Sequence, residues 1–205
     1  GFAPVVEDDL ENAIQMNSGI FGRLPGNCAR WRSFSEFLGL LDGCAVNVGA
    51  MVPHNAVRQI AFGHQNSPLT GAPLEAALAA LDEALSEGAL GLSVGLSYYP
   101  GGYGDTGELI ELCRAIQRRD ALFCVHMRLD VNNPDFRPMD EIARVAEETR
   151  VRTNMLHHRT GGFEPHTDVT APFERAARAG AEVTFEFYPY LVGSGLVLAV
   201  VPDWA

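Results

Sequence analysis

The sequence predicts an α/β protein built around a parallel sheet. Short apolar runs alternate with longer amphipathic segments at intervals of roughly 30 residues, which is the pattern of successive βαβ units. The composition agrees with this prediction, because 205 residues with 47% hydrophobic and 20% charged side chains can bury one sizeable core.

The elements follow in order along the chain. The predicted strands are residues 46–52, 90–94, 122–126, 153–157 and 182–187, each short and almost continuously apolar, as expected for buried parallel strands. The predicted helices are 73–87, 106–119, 139–149 and 170–179, with a further helix-like segment at 33–41. The helix at 73–87 is the clearest, because Leu74, Leu78, Leu81 and Leu85 recur at three- and four-residue steps and Gly88 closes its end.

Five units in series favour an incomplete (β/α)8 barrel, approximately its strands 3 to 7, over a doubly wound sheet. No GxGxxG segment follows the first strand, and polar residues cluster just after several strands, where a barrel builds its active site. A complete barrel needs about 250 residues. We therefore expect residues 1–205 to be an internal fragment of a barrel that lacks strands 1, 2 and 8, which are needed to close the fold.

Charge and composition narrow the partners. The net charge of -11 argues against nucleic acid and anionic membranes, and no apolar stretch reaches the roughly 20 residues of a membrane-spanning helix. All 15 basic residues are arginine, which excludes a carboxylated-lysine metal bridge, a P-loop lysine and a Schiff base within these residues. The four cysteines form no CxxC pair. We expect reduced, mostly buried thiols, a cytoplasmic protein and a small-molecule substrate.

Three histidines lie at or just beyond the ends of predicted strands: His54, His126 and His157. In a (β/α)8 barrel these ends form the face that carries the active site, and histidine is the commonest zinc ligand. His126 and His157 occupy matching positions on successive strands, so one metal ion could take both. Spacing alone leaves two interpretations open, because a histidine at a strand end is often a satisfied structural residue.

Two glycine- and tyrosine-rich segments follow predicted strands. In residues 88–102 a strand runs into a loop with Tyr98, which could line a pocket or form a turn stiffened by Pro100. Residues 186–195 could also line a pocket or form a packed aromatic corner. Cys28 precedes a helix-like segment and is interpreted as structural. His64 and His166 lie in polar, loop-like contexts and are expected to be solvated.

These segments together resemble the N-acyl-D-amino-acid deacylase (D-aminoacylase) family of the amidohydrolase superfamily over essentially the whole chain. Residues 1–5 resemble the stretch after that family's GNCG motif, and residues 31–38 resemble its tryptophan-containing helix. Residues 47–58 resemble NVaxLvGHgxlR, with Pro53 for Gly, and residues 87–110 resemble EGAxGxStGLxYxPG…TxEL, with Val94 for Thr. Residues 202–205 resemble the lPxWa segment.

The remaining motifs carry the metal ligands of the family. Residues 125–128 resemble tHmR and residues 156–159 resemble iSHHK, and the first histidine of each is a zinc ligand in the family. The second motif has Leu156 for Ser and Arg159 for Lys. Residues 185–194 resemble DxYPYxAgS, with Glu186 for Asp.

The resemblance implies a zinc-dependent enzyme that hydrolyses the amide bond of N-acyl-D-amino acids. It implies His126 and His157 as zinc ligands, Tyr98 as a substrate contact that could donate to the developing oxyanion, and Ser194 as a contact for the substrate carboxylate. It also implies that the family's HxH, its ligand cysteine and its catalytic aspartate all lie outside this chain. Two alternatives stay open: an amidohydrolase for cyclic amides such as hydantoins, and an inactive, truncated remnant.

Overall fold

The sheet adds its strands in the order of the sequence. The computed structural model describes residues 22, 31–128, 138–157, 166–187 and 189. All strand pairs are parallel, and the sheet runs β1 (Val52–Pro53), β2 (Gly91–Gly95), β3 (Leu122–His126), β4 (Arg152–Met155) and β5 (Val183–Phe185). A doubly wound sheet reverses its strand order at a switch point, whereas a barrel keeps adding strands in one direction. The observed order confirms the predicted partial barrel.

Helices connect the strands and cover one face of the sheet. Within the described residues they are α1 (Phe34–Gly39), α2 (His54–Phe62), α3 (Gly71–Ser86), α4 (Thr106–Gln117), α5 (Pro138–Thr149) and α6 (His166–Arg178), with a 3-10 turn at Gly101–Tyr103. From α2 onward, each helix packs against the next. In the part of the chain that the structure describes, no helix combines the length and apolarity needed to cross a membrane.

The two faces of the sheet differ in polarity. The core between strands and helices includes Leu92, Val94, Phe123, Val125 and Met155, each at most 2% exposed. Because side chains alternate along a strand, the intervening residues point away from the helices. One register rung on that opposite face consists of polar or small residues: Ser93, Cys124, Asn154 and Thr184. In a barrel this rung lines the interior.

The first predicted strand is wrong over most of its length. Only Val52 and Pro53 join the sheet, while Val46 and Val48 are 71% and 48% exposed. Residues 46–51 lead into β1, which is the edge strand of the described sheet and has β2 as its one neighbouring strand. The pairing before β1 is limited to the Ala50 carbonyl, which accepts from the Leu90 amide at 2.9 Å. Residues 46–51 therefore stay outside the ladder although their sequence is apolar.

The other predicted elements are confirmed with shifted ends. The strand at 122–126 matches, and the helix predicted at 106–119 ends at Gln117. The strand predicted at 153–157 covers residues 152–155, and the one predicted at 182–187 covers 183–185. Helix α2 was not predicted, because residues 54–62 were interpreted only as the segment that follows the strand at 46–52.

Candidate metal centre

His126 is the last residue of β3 and lies on the barrel-interior face. It pairs in register with Gly95 of β2 and follows the buried Val125 by one position, so it points to the opposite side from the core. The ring is half-buried. The strand therefore delivers one imidazole to the carboxyl end of the sheet, as the sequence predicts.

His157 lies two residues beyond the end of β4 and has an unusual backbone conformation. Met155 is buried against the helices, so an extended chain would send residue 157 toward the same side. His157 instead has a φ of 37°, in the left-handed region that non-glycine residues seldom occupy. This turn brings the His157 ring to His126.

The two imidazoles meet through their nitrogens. His126 Nδ1 and His157 Nε2 are 2.8 Å apart, and the ring centroids are 4.5 Å apart with the planes at 77°. Two imidazole nitrogens on one tetrahedral zinc ion are about 3.3 Å apart, from zinc–nitrogen bonds of about 2.0–2.1 Å. A small opening of the pair would let both lone pairs bind the same ion, so the two residues fit a metal that favours imidazole.

The metal set is incomplete in the described residues. Among them, no group of three or more histidine, cysteine, aspartate or glutamate side chains is arranged to hold an ion. Cys124, two positions before His126, is buried and free. Burial raises the pKa of its thiol, the hydrogen bond with Asn154 opposes this, and the charge of Glu186 raises the pKa further.

Tyr98 lies beside the histidine pair. Its ring centroid is 5.1 Å from that of His126. A Cβ atom on Gly95 would come within 2.7 Å of Tyr98 Cδ2, so the absence of a side chain at Gly95 makes room for the ring. The Leu96 amide donates to the His126 carbonyl at 3.0 Å, and Ser97 Oγ donates to the Met127 carbonyl at 3.2 Å. These bonds connect the tyrosine loop (residues 96–104) to the end of β3.

His54 is a structural residue rather than a site residue. It is the first residue of α2, is 1% exposed, and its Nε2 lies 2.6 Å from Glu108 Oε1. Glu108 also accepts hydrogen bonds from Arg58 Nη1 and from the Leu69 amide at 2.7 Å. Of the two interpretations for a histidine at a strand end, the structural one holds for His54.

The Glu108 carboxylate is charged despite its burial. Burial alone raises its pKa, but the hydrogen bonds and charge of His54, with the further bonds from Arg58 and the Leu69 amide, lower the pKa overall. Glu108 is therefore a buried carboxylate anion that is paired within the core.

Several predicted positions lie outside the described residues: Ser194, His158, Arg159 and Cys28. His64 is exposed, as predicted. Of the three free thiols in the described part, Cys113 and Cys124 are buried and Cys44 is exposed, so most of these thiols are buried, as expected. Glu186 is exposed and accepts a hydrogen bond from Asn154 Nδ2 at 2.9 Å.

Two residues that support this site were not predicted from the sequence. Arg128 and Asn55 both bind the backbone of the tyrosine loop, through Gly102 and Gly101 respectively. Arg128 belongs to the recognised histidine motif, but a sequence pattern gives no sign that its guanidinium contacts main-chain carbonyls rather than a ligand.

Curated relatives of this chain are deacylases. No family model matches the chain. D-Aminoacylase of Alcaligenes xylosoxydans xylosoxydans is 29% identical over 84% of this chain and 36% of the relative. From the same organism, N-acyl-D-glutamate deacylase is 30% identical over 96% of this chain and 43% of the relative, and N-acyl-D-aspartate deacylase is 30% identical over 81% and 34%. The chain thus spans about two fifths of their length or less.

Solved structures agree with these relatives. N-Acyl-D-glutamate deacylase from Bordetella bronchiseptica, complexed with zinc and a phosphonate inhibitor, matches 80% of this chain and 36% of that protein with a TM-score of 0.72 and 28% identity. A D-aminoacylase described as defining a novel subset of amidohydrolases matches 82% of this chain and 38% of that protein, with a TM-score of 0.69 and 28% identity. Over the part of their length that it spans, the chain is therefore related to the N-acyl-D-amino-acid deacylases of the amidohydrolase superfamily.

Proposed function

We propose that this chain is the central part of the catalytic barrel of a zinc-dependent N-acyl-D-amino-acid deacylase. The reaction is hydrolysis of the amide bond to a D-amino acid and a carboxylate. The observation that carries the proposal is the pair of imidazole nitrogens from His126 and His157, 2.8 Å apart at the carboxyl ends of adjacent parallel strands. The deacylase relatives support the substrate class, and the zinc complex of the Bordetella enzyme supports zinc.

His126 and His157 are the proposed zinc ligands, and further ligands and the catalytic aspartate are assigned to segments outside this chain. Zinc in this position supplies a Lewis acid for amide hydrolysis. Imidazole ligands also suit copper, iron and nickel, so the histidine pair by itself does not select the metal.

Tyr98 and Ser194 are the proposed substrate contacts. The Tyr98 ring centroid lies 5.1 Å from that of His126. From there, its hydroxyl can donate a hydrogen bond to an oxygen that gains negative charge during the reaction. Ser194 is proposed to orient the substrate carboxylate.

Departures from the family motifs do not remove these groups. Val94, which replaces the usual threonine, is 2% exposed and belongs to the hydrophobic core rather than to the histidine face. Glu186 keeps a carboxylate where the family has aspartate, and Asn154 holds it. These positions give no reason to prefer an inactive remnant.

Substrate hydrolysis by the complete protein that carries this segment tests the proposal. Purified protein with zinc is assayed on N-acetyl-D-methionine and on a hydantoin. We expect turnover of the linear amide and at least about tenfold lower kcat/KM for Tyr98→Phe and for Ser194→Ala.

Tyr103→Phe is the matched control, because it removes a hydroxyl from the same loop while Tyr103 stacks on Tyr99 at 4.5 Å rather than on His126. If the protein hydrolysed only the hydantoin, the proposed substrate class of linear N-acyl-D-amino acids would be wrong, and cyclic amides would take its place. Unchanged kcat/KM in both Tyr98→Phe and Ser194→Ala would remove both assignments.

A further inference from the structure

The guanidinium of Arg128 joins the end of β3 to the tyrosine loop. Arg128 follows His126 by two positions. Its Nη1 donates to the Gly102 carbonyl at 2.7 Å and its Nη2 donates to the Gly104 carbonyl at 2.6 Å. One short segment therefore carries both a candidate metal ligand and a clamp on the neighbouring loop.

A buried carboxylate orients this guanidinium. Glu141 of α5 is 8% exposed and accepts from Arg128 Nε at 3.2 Å through Oε2. Its other oxygen, Oε1, lies 3.4 Å from Arg128 Nη2 and accepts from Thr106 Oγ1 at 3.0 Å. The carboxylate thus binds the guanidinium and the first residue of α4, the helix that follows the loop.

All three nitrogens of Arg128 are engaged by the protein itself. The Arg128 side chain is 16% exposed, and its partners among the described residues are two backbone carbonyls and one carboxylate. An arginine that binds a substrate carboxylate needs two parallel N–H groups free for it. The observed contacts indicate a structural support for the loop.

Gly102 connects the clamp to Tyr98. Arg128 binds the Gly102 carbonyl, while the Gly102 amide donates to the Tyr98 carbonyl at 2.7 Å. On the other side of the loop, the Gly101 amide donates to Asn55 Oδ1 at 2.7 Å. The loop backbone is therefore held from two directions, and the Tyr98 ring lies over Gly95 beside His126.

We infer that Arg128, held by Glu141, is a positioning residue that keeps the Tyr98 ring beside the His126–His157 pair. The inference rests on the proposed function for the role of Tyr98 in turnover. A planar fork is needed, because two carbonyls and a carboxylate are bound at once; lysine, with one ammonium group, cannot replace it. A catalytic group displaced by about 1 Å can lose up to about 100-fold in rate.

A double-mutant cycle in the complete zinc-loaded protein tests the inference. The variants are Arg128→Met, Tyr98→Phe and the double variant, assayed on N-acetyl-D-methionine. We expect Arg128→Met to lower kcat at least about tenfold in the wild-type background but less than about twofold in the Tyr98→Phe background. An equal loss in both backgrounds would overturn the inference, because Arg128 would then act independently of Tyr98.

Hydrogen exchange supplies a readout that does not depend on activity. Arg128→Met should speed exchange of the amides in residues 96–104 about tenfold or more and leave those of 122–125 unchanged. Arg144→Met is the matched control: Arg144 lies on α5 with Glu141, but its side chain is 63% exposed and pairs only with Glu148 among the described contacts. It should change neither exchange nor turnover.

The two readouts separate this inference from the proposed function. Faster loop exchange in a protein that turns over no N-acyl-D-amino acid would support Arg128 as the loop clamp and refute the deacylase proposal. Unchanged loop exchange in Arg128→Met would overturn the inference, whatever the activity.

Discussion

Replacing Glu108 with alanine removes the acceptor at the centre of a buried polar cluster. The carboxylate is 2% exposed and binds His54, Arg58 and the Leu69 amide. Arg58 is 0% exposed, and its guanidinium lies against this carboxylate. In Glu108→Ala, the guanidinium is left in the core without its anion, and the Leu69 amide loses its acceptor.

The expected loss of unfolding free energy follows from these contacts. Removing one partner of a buried ion pair costs about 3–5 kcal/mol. Glu108→Gln should cost less, about 1–3 kcal/mol, because an amide oxygen in place of Oε2 keeps Arg58 and Leu69. The amide nitrogen then faces His54 Nε2, which accepts in the tautomer that carries its proton on Nδ1.

Urea unfolding followed by circular dichroism at pH 7 measures these differences. The matched control is Glu111→Ala, on the same helix; the Glu111 side chain is 44% exposed and pairs with Arg114 at the surface. Exposed pairs contribute about 0–1 kcal/mol, so the control should stay close to wild type. The reasoning fails if Glu108→Ala lies within about 1 kcal/mol of wild type.

The same structure predicts three further results. Because the folded-state pKa of Glu108 lies below its ordinary value of 4.5, the carboxylate stabilises the fold above that value. Its contribution is lost as the pH falls through the lower folded pKa, so an acid titration of unfolding should show wild type and Glu108→Gln converging below pH 4.5; a constant gap would contradict this. Gly95→Ala would place Cβ within 2.7 Å of Tyr98 Cδ2 and should lower turnover at least about tenfold with little change in unfolding midpoint, whereas wild-type turnover would argue against the Tyr98 role. Gly91→Ala would bring Cβ within 1.9 Å of the Leu122 carbonyl oxygen and should cost more than about 2 kcal/mol in urea unfolding; a neutral variant would contradict the β2–β3 register.

The sheet could be predicted from the sequence because its strands are apolar and buried on the helix side. Residues 122–126 show this best, with Phe123 and Val125 at 0% exposure. The first strand could not, since residues 46–51 have the same apolar character but lie at an edge. Hydrophobicity reports burial, whereas pairing depends on neighbours far away in the chain.

Helix α2 illustrates a different limit. Its N-cap position is Pro53, which makes no side-chain capping bond, so the usual start signal is missing. The first turns are instead tied to Glu108, 54 residues from His54 and 50 from Arg58. That long-range contact holds His54 in the core, and a sequence pattern does not distinguish such a histidine from one that faces a site.

The part of the candidate site that follows from strand topology could be predicted from the sequence. Parallel strands bring the C-terminal ends of β3 and β4 to the same edge of the sheet, which places His126 near His157. The left-handed backbone at His157 and the clamp by Arg128 could not be predicted, because both depend on three-dimensional packing rather than on residue type.

We propose that His126 and His157 bind one zinc ion that the deacylase reaction requires. The most direct measurement is zinc content, together with N-acetyl-D-methionine hydrolysis, of the complete protein and its variants His126→Ala and His157→Ala. His64→Ala serves as control, because His64 is exposed at the end of α2. We expect both site variants to lose zinc and activity while the control keeps them. Retention of zinc and turnover in both site variants would contradict the claim.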